Sequence, residues 1–412
     1  MRLVVNTLVF TGITCLYSNA DAGTTEQKQI QELRAEIEAL KTAIQKQNET
    51  LTTTTFQNQT AFTPLANISK KTDSSALKWK SKNGAEVNIY GFVRADAAYQ
   101  IEGAKSIFNG INTVALKDDQ NKKLTEDRLD ATLTTTRIGL DFKAPIQDAD
   151  VGGKIEVDFR GGADKDTIRL RHVYMTYNNW LVGQTTSNFL STETTPEMID
   201  FNGALGSGTY RTPMVRFMDD LNKSTKYFIG IEKGNEQNRL PTATAKITHK
   251  FAEGAGVITG RGMVQEVRAR DLNDETAIGW GLGIGTRYEM DKIILSANYS
   301  HASGDNKYLL YNANNYYMKN DDLDLVEFDT FNFGATYKFN SRVRSTLAYS
   351  AMHYTDNVLG GNDHLKQSWL NVMYNPVKPI TFGMEYVYGE RETIEGKTGN
   401  DNRIEIMAKY DF

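Results

Sequence analysis

Arginines recur at alternating positions of several segments, and their side chains suit the binding of small anions. Each guanidinium is a rigid fork of donors that can hold a carboxylate or a phosphate with two hydrogen bonds, whereas lysine offers a flexible point charge. Clustered along a narrow water-filled passage, such side chains would raise the local anion concentration. The candidate anion-binding residues are Arg94, Arg137, Arg160, Arg169, Arg171, Arg216, Arg287 and Arg344.

Neighbouring carboxylates leave a second interpretation of these arginines open. Asp96, Asp141, Glu156 and Asp158 are placed to form ion pairs with them. Such pairs would neutralise the arginines and give a salt-bridged lining without ion preference. Both interpretations stand at this point.

Side chains for covalent or metal chemistry form no recognisable motif. His172, His249, His301, His353 and His364 are scattered without metal-ligand spacing, and there is no Gly-x-Ser-x-Gly elbow. A membrane phospholipase, which would need a serine and a histidine placed together, is the remaining enzymatic alternative. We therefore expect no catalytic residue, no metal site and no cofactor, and we expect that the protein is not an enzyme.

The last ten residues indicate which elements would position the arginines. Residues 403–412 alternate between polar and apolar side chains up to a terminal aromatic residue. In a closed membrane barrel the apolar face of such a strand meets lipid and the polar face meets a water-filled lumen. We expect Tyr410 and Phe412 to form a signal for the barrel-assembly machinery, with Phe412 closing the last strand against the first near Tyr90 and Phe92.

Composition excludes two classes of protein. The chain has 412 residues, of which 24% are charged, and its mean hydropathy of −0.48 excludes a bundle of transmembrane helices. The net charge of −4 without a basic block gives no reason to expect a nucleic-acid partner. A β-barrel stays possible because lipid-facing and lumen-facing residues cancel in any average.

From residue 86 to residue 412, sixteen segments alternate between polar and apolar side chains. They predict an all-β transmembrane barrel of 16 antiparallel strands. Their connections alternate between long and short, which is typical of outer-membrane barrels. The alternative, a soluble array of β-sandwiches, gives no reason for loops to be sorted in this way. The three longest connections are about 101–130, 188–211 and 304–326. The predicted strands are 86–100, 131–142, 153–160, 167–178, 180–187, 212–218, 225–233, 241–251, 256–270, 276–289, 292–303, 327–339, 342–355, 364–374, 379–391 and 402–412.

The third long loop, about 188–211, is expected to fold inward and narrow the barrel. It carries Glu193, Glu197 and Asp200 and ends at Arg211. Acids on this loop facing arginines on the wall would create a transverse electric field at a constriction.

The first 84 residues divide into three segments. Residues 1–22 have the basic start, apolar run and small residues of a signal peptide; if cleavage follows Ala20 or Ala22, the mature chain loses Cys15, its one cysteine. Residues 24–51 show a coiled-coil heptad pattern, and its alternative is an amphipathic helix on its own domain. Residues 52–84 form a polar linker before a barrel over 85–412. The coiled-coil core positions are Ile30, Leu33, Ile37, Leu40 and Ile44.

Several motifs together resemble a known family. The barrel opens with Ile89-Tyr-Gly-Phe-Val-Arg94, and the inward loop is preceded by Leu181-Val-Gly-Gln-Thr-Thr-Ser-Asn-Phe189. Thr195-Pro-Glu197 and Arg211-Thr-Pro213 lie within and after that loop. With the signal peptide, the coil and the linker, these motifs resemble the DcaP-like outer-membrane porins over essentially the whole mature chain.

The resemblance implies a homotrimer of 16-stranded barrels in the bacterial outer membrane, in contact with its lipid, with the helical segment in the periplasm. It also implies passive uptake of small anionic solutes, dicarboxylates in particular. The coil pattern, with isoleucine and leucine alternating in its core, by itself favours two strands. An alternative function is a structural envelope protein whose coil tethers the outer membrane to a periplasmic partner or to the cell wall.

Overall fold

The computed structural model describes residues 77–82, 84–120, 122–270, 274–319 and 322–412. The expected signal peptide, the coiled coil and most of the linker lie outside these residues. Within the described part of the chain, no helix is long and apolar enough to cross a membrane.

Twenty strands and three short 3₁₀ turns make up the secondary structure of the described residues. The turns are Ile111–Thr113, Lys122–Leu124 and Ala252–Gly254. The strands are β1 Leu77–Lys80, β2 Glu86–Glu102, β3 Arg128–Thr132, β4 Arg137–Ile146, β5 Ala149–Gly161, β6 Thr167–Tyr177, β7 Trp180–Thr186, β8 Arg211–Asn222, β9 Thr225–Glu232, β10 Thr242–Phe251, β11 Gly256–Ala269, β12 Glu275–Met290, β13 Ile293–Ser303, β14 Tyr316–Lys319, β15 Asp322–Leu325, β16 Glu327–Lys338, β17 Val343–Asp356, β18 Asn362–Tyr374, β19 Ile380–Thr393 and β20 Thr398–Asp411.

Antiparallel pairing closes the sheet into a barrel. Each wall strand pairs with the next along the chain, and β2 pairs with β20 to complete the ring. β3 and β4 both pair with β2, one after the other, and together they count as one strand of the wall. β1 pairs with the first residues of β2, beyond the end of β20. β14 and β15 form a separate hairpin. The described residues therefore form a wall of sixteen strands, as predicted.

The second predicted strand differs from the structure in one respect, because residues 133–136 interrupt it. β3 pairs with Asp96–Gln100 of β2 and β4 pairs with Glu86–Phe92, so the residues between lack a continuous ladder. Threonine hydroxyls replace it: Thr136 Oγ1 accepts the backbone N–H of Arg94 at 3.1 Å, and Thr135 donates to Asp96 at 2.6 Å. Side-chain hydrogen bonds that compete with a ladder are characteristic of threonine.

The burial pattern is the reverse of that in a soluble protein. On β9 the side chains of Ile229 and Ile231 are 56% and 57% exposed, whereas Glu232 is fully buried. On β20 Ile406 and Tyr410 are exposed, and Arg403 is fully buried. Period-2 alternation therefore places apolar side chains on the outer surface and polar ones on the lumen surface, as expected for a barrel in lipid.

Long and short connections lie at opposite ends of the barrel. Turns such as 178–179 and 291–292 occur at the end that holds Phe412, and Asn178 and Asp291 adopt the positive φ that such tight turns require. At that end the backbone of Phe412 exchanges two hydrogen bonds with Gly91, of 3.0 and 3.1 Å. A Cβ on Gly91 would lie 2.3 Å from the carbonyl oxygen of Arg137, so this closure requires glycine.

The long connections pack together inside the other half of the barrel. They cover residues 103–127, 187–210 and 304–326. A fully buried apolar cluster joins all three to the wall, and it includes Ile111, Phe189, Leu205, Tyr308 and Phe328. The hydrophobic core of this protein is therefore a packed mass of loops within the lumen.

Candidate functional site

The loop that connects β7 to β8, residues 187–210, runs along the inside of the wall. Its carbonyl at Leu190 accepts a hydrogen bond from Lys246 of β10, and Thr194 exchanges two hydrogen bonds with Asn298 of β13. Further on, the carbonyl of Glu197 accepts from Trp369 of β18 at 2.9 Å. All these partners lie on the lumen face, so the loop follows the wall from β10 to β18.

The loop then reaches β19, β20 and β2. Glu385 of β19 accepts the backbone N–H groups of Ile199 and Asp200 at 2.9 and 3.1 Å, and Arg94 of β2 donates to the carbonyl of Ile199 at 2.6 Å. Phe201 follows and faces the next strands. The loop is thus bonded to β10, β13, β18, β19 and β2, and the ring of Phe201 lies over arginines of β2, β4 and β5.

Each acid on the loop pairs with a cation on the wall. Glu193 pairs with Lys246, Glu197 with Arg344 at 2.8 Å, and Asp200 with Arg403 at 3.0 Å. These pairs hold the loop against the wall. Two of the three loop acids face arginines of the wall, as the sequence predicts, and the transverse field at a constriction stays a prediction.

Arg403 lies at the centre of a sealed acidic cluster, which we call the latch: Arg403, Asp200, Glu385, Asp401 and Glu405. Arg403 is fully buried and pairs with Asp200, Asp401 and Glu405 at 3.0, 3.7 and 3.1 Å. A buried arginine among carboxylates stabilises only as long as all partners are present, because each charge left alone is costly. The latch therefore holds the far end of the loop.

Strands β4, β5 and β6 carry a different cluster, in which arginines outnumber acids. Asp158 of β5 accepts a bidentate pair of hydrogen bonds from Arg169 of β6, of 2.6 and 2.9 Å. Arg171 bridges Asp158 and Glu156, and Arg137 of β4 lies 3.4 Å from Glu156. The side chain of Arg169 is 36% exposed, so its guanidinium also meets the lumen.

A β-bulge explains why two successive residues of β6 point into the lumen. Opposite β5 the register shifts between Glu156 and Val157, which pair with His172 and Leu170 and leave Arg171 as the extra residue. Bulged residues escape the strict alternation of a strand. Arg171 consequently reaches both carboxylates, while His172 contacts Thr185 of β7 at 2.9 Å.

Aromatic rings on the loops pack against the arginine cluster. Arg160 of β5 lies over Phe108 and Phe201, with 4.7 and 5.8 Å to the ring centroids, and Arg94 and Arg137 also approach Phe201, at 5.3 and 5.9 Å. Among the described residues, the guanidinium of Arg160 makes no ion pair. Cation–π contact orients a guanidinium without neutralising it.

An excess of arginines over carboxylates characterises this wall. We call it the arginine wall, and it comprises Arg94, Arg137, Arg160, Arg169, Arg171 and Arg211 with Asp96, Glu156 and Asp158. Arg94 pairs with Asp96 at 2.6 Å. Arg211 lies within electrostatic range of Arg137, Arg169 and Arg171 and, among the described residues, has no ion-pair partner. Six arginines against three carboxylates leave a formal excess of three positive charges.

The remaining predicted arginines lie elsewhere on the lumen face. Arg216 donates to the backbone carbonyl of Thr186, Arg287 pairs with Glu289 at 3.1 Å, and Arg344 is the anchor for Glu197. The structure therefore brings five of the eight predicted arginines together and separates three, whose role as anion ligands stays a prediction.

Sequence reasoning missed several residues of the site. Lys246 and Arg261 occupy inward positions of β10 and β11, and Arg261 donates to Ser300 at 3.0 Å. Alternation along these strands could have identified both. Phe108 and Phe201 lie on irregular loops, and no periodic signal marks them.

The family motif before the loop has a structural role. Gly183 has φ of +135°, and a Cβ there would lie 2.3 Å from the carbonyl oxygen of Val173. The side-chain amide of Asn188 donates to Thr244, and the backbone N–H of Asn188 donates to Glu232. Phe189 is fully buried. The motif thus fixes the point where the loop leaves the wall.

A closed barrel of sixteen strands with a loop bonded inside its lumen defines the class of outer-membrane channels. The profile of the DcaP outer membrane protein family matches residues 21–412. Among solved structures, the outer membrane channel DcaP of Acinetobacter baumannii is 44% identical, with a TM-score of 0.75 over 81% of this chain and 99% of that chain. This chain belongs to the DcaP outer membrane protein family.

More distant solved structures share the fold alone. OmpT of Vibrio cholerae is 15% identical with a TM-score of 0.55, covering 82% of this chain and 100% of its own. An anion-selective porin from Comamonas acidovorans is 10% identical with a TM-score of 0.56, covering 80% and 100%. No curated protein matches the chain.

Proposed function

We propose that this outer-membrane channel conducts small hydrophilic solutes passively with a preference for anions, and that dicarboxylates are its preferred solutes. The observation that carries the proposal is the arginine wall, in which six arginines face three carboxylates and Arg169 and Arg211 stay partly exposed. Positive charge along a channel with low-dielectric walls concentrates anions and speeds their entry.

Several cationic groups on one wall favour solutes with two carboxylates. Arg169 is partly exposed beside Asp158, and Arg211 is partly exposed without an ion-pair partner among the described residues. A flexible dicarboxylate can contact two such guanidinium groups at once, whereas a monocarboxylate contacts one. Hydrogen bonds between charged groups contribute about 1.5–3 kcal/mol each, so the second contact distinguishes the two solutes.

Block of single-channel current by succinate tests the proposal. We compare the wild type with Arg169→Ala/Arg171→Ala and with a matched control, Arg239→Ala/Arg268→Ala, which removes two arginines paired with Glu266 and Asp274 away from the arginine wall. Loss of about 1.4 kcal/mol raises the half-blocking concentration about tenfold. We expect at least that rise in the first variant and little change in the control.

Acetate provides the second comparison. If succinate blocks no better than acetate, the preference for dicarboxylates is wrong. If both double variants lose block equally, the effect comes from the general charge of the lumen and the arginine wall has no special role.

We also propose that the protein is a homotrimer, inserted by the barrel-assembly machinery through Tyr410 and Phe412, with the segment 24–51 as a coiled coil in the periplasm. The heptad pattern and the family membership support this arrangement, and one distant solved relative, OmpT of Vibrio cholerae, is described in a trimer form. Deletion of residues 24–50 with normal transport but a loosened envelope would favour the tethering role instead.

A further inference from the structure

Three of the five histidines of the chain lie in one row across neighbouring strands, although they are far apart in the sequence. His301 of β13 is opposite Asp329 of β16, which is opposite His353 of β17. His353 is opposite His364 of β18, and His364 is opposite Glu392 of β19. Sheet register thus aligns residue types that coordinate metals, and no spacing in the sequence reveals it.

The row lies on the outer surface of the barrel, at the end opposite to Phe412. The neighbours of His353 in the strand, Met352 and Tyr354, are buried in the interior cluster, and so is Leu365 next to His364. Alternation therefore turns His353 and His364 outward. His353 is exposed and His364 is half-buried. The row is accordingly separate from the lumen and from the arginine wall.

A β-bulge brings a carboxylate to the centre of the row. The register between β18 and β19 shifts between Asn362 and His364, so Asp363 is the extra residue. In a regular strand Asp363 would face away from His364, but the bulge lets its carboxylate lie 2.7 Å from Nδ1 of His364. A carboxylate that holds one ring nitrogen of a histidine leaves the other nitrogen for a metal.

The two imidazoles already lie together. The rings of His353 and His364 are 4.3 Å apart at their centroids with an angle of 31° between planes. The ligand atoms of His353, Asp363 and His364 all lie within 4.8 Å of one another. Tetrahedral coordination with metal–nitrogen bonds of about 2.0 Å needs ligand atoms about 3.4 Å apart, and small rotations of these accessible side chains supply the difference.

We propose that His353 and His364 bind a borderline divalent transition-metal ion such as Zn²⁺ or Cu²⁺ at the surface, and that Asp363 orients His364 for this role. Imidazole ligands suit these ions and are unsuited to Mg²⁺ or Ca²⁺, which prefer oxygen ligands. Asp329 and Glu392, which flank the two histidines, add negative charge, while Lys366 lies two residues along the same face beside Glu390. A bound ion would tie β17 to β18 below the turn at 357–361.

The test uses the full-length protein in detergent, purified with a tag that contains no histidine and freed of metal with a chelator. Zn²⁺ binding is measured by calorimetry, and Cu²⁺ binding by electron paramagnetic resonance, which reports the nitrogen ligands. The variants are His353→Ala, His364→Ala and Asp363→Asn. The control is His249→Ala, because His249 lies on β10 beside Thr225 and outside the row.

We expect one Zn²⁺ per chain in the wild type and in the control. Each histidine variant should weaken binding by at least about tenfold, and Asp363→Asn by a smaller factor within the range of about 10–100-fold typical of groups that orient metal ligands. The copper spectrum should show two nitrogen ligands in the wild type and one in each histidine variant.

Three results would overturn the proposal. They are equal Zn²⁺ affinity in wild type and His353→Ala/His364→Ala, equal binding of Mg²⁺ and Zn²⁺, and Zn²⁺ block of channel current that His353→Ala removes. The last result would place the histidines on the solute path and contradict an outward-facing site. Normal heat-resistant migration of every variant on gels verifies that the barrel is folded.

Discussion

The arginine wall and the latch use the same residue types with opposite balance. In the arginine wall six arginines face three carboxylates, and Arg169 and Arg211 stay partly exposed. In the latch one fully buried arginine faces four carboxylates and the backbone of the loop. The comparison separates arginines that lie in an excess of positive charge, some of them partly exposed, from an arginine that is buried among carboxylates.

Breaking the latch should have the largest effect. Arg403→Met leaves Asp200, Asp401 and Glu405 buried without their cation, and loss of one partner from a buried ion pair costs about 3–5 kcal/mol. We expect the end of the loop to detach, which gives a larger and noisier single-channel conductance and a lower unfolding temperature. Conductance in planar bilayers and thermal unfolding measure both.

Arg268→Met is the control for that experiment, because Arg268 forms an ion pair with the more exposed Asp274 at the rim. Exposed pairs contribute about 0–1 kcal/mol, so this variant should resemble the wild type. A quiet channel of wild-type conductance in Arg403→Met would show that the loop holds its position without the latch.

Removing an acid from each cluster sharpens the comparison. Asp158→Asn takes away the carboxylate that Arg169 and Arg171 share, so the excess of positive charge rises and the preference for chloride should increase. Glu385→Gln removes a carboxylate of the latch, which is buried away from the solute path, and should leave selectivity unchanged. Reversal potentials of the two variants measure the change in ion selectivity. Equal shifts in both would show that the arginine wall and the latch do not differ in their effect on selectivity.

Phe201→Leu should have the smallest effect of the set. Its ring lies over Arg94, Arg137 and Arg160, and cation–π contacts contribute about 0.5–1 kcal/mol at accessible sites. We expect a slight loss of thermal stability and a change in succinate block of less than about tenfold. Complete loss of block would mean that Phe201 itself forms part of the solute site.

The fold could be predicted from the sequence because the alternation of polar and apolar residues and the alternation of long and short loops are both local patterns. The three longest connections and the closure of Phe412 against the first strand were predicted and are present. The break at residues 133–136 was missed because it depends on threonine hydroxyls that bond to β2, which is a tertiary contact.

The candidate site could be predicted only in part, because it also depends on tertiary contacts. Alternation indicated that Arg169 and Arg403 face inward, but it cannot count the carboxylates that later strands bring to each. His172, which faces inward directly after Arg171, and Asp363 owe their directions to β-bulges, which depend on the register with a neighbouring strand. Pairing between distant strands therefore determines which inward arginines are free and which histidines meet.

The most direct test of the central claim is the reversal potential of the wild-type channel in a gradient of potassium chloride. If the arginine wall governs permeation, the sign of the potential shows preference for chloride, and Arg169→Ala/Arg171→Ala moves it toward zero while Arg239→Ala/Arg268→Ala does not. A wild-type potential that shows preference for potassium would contradict the account.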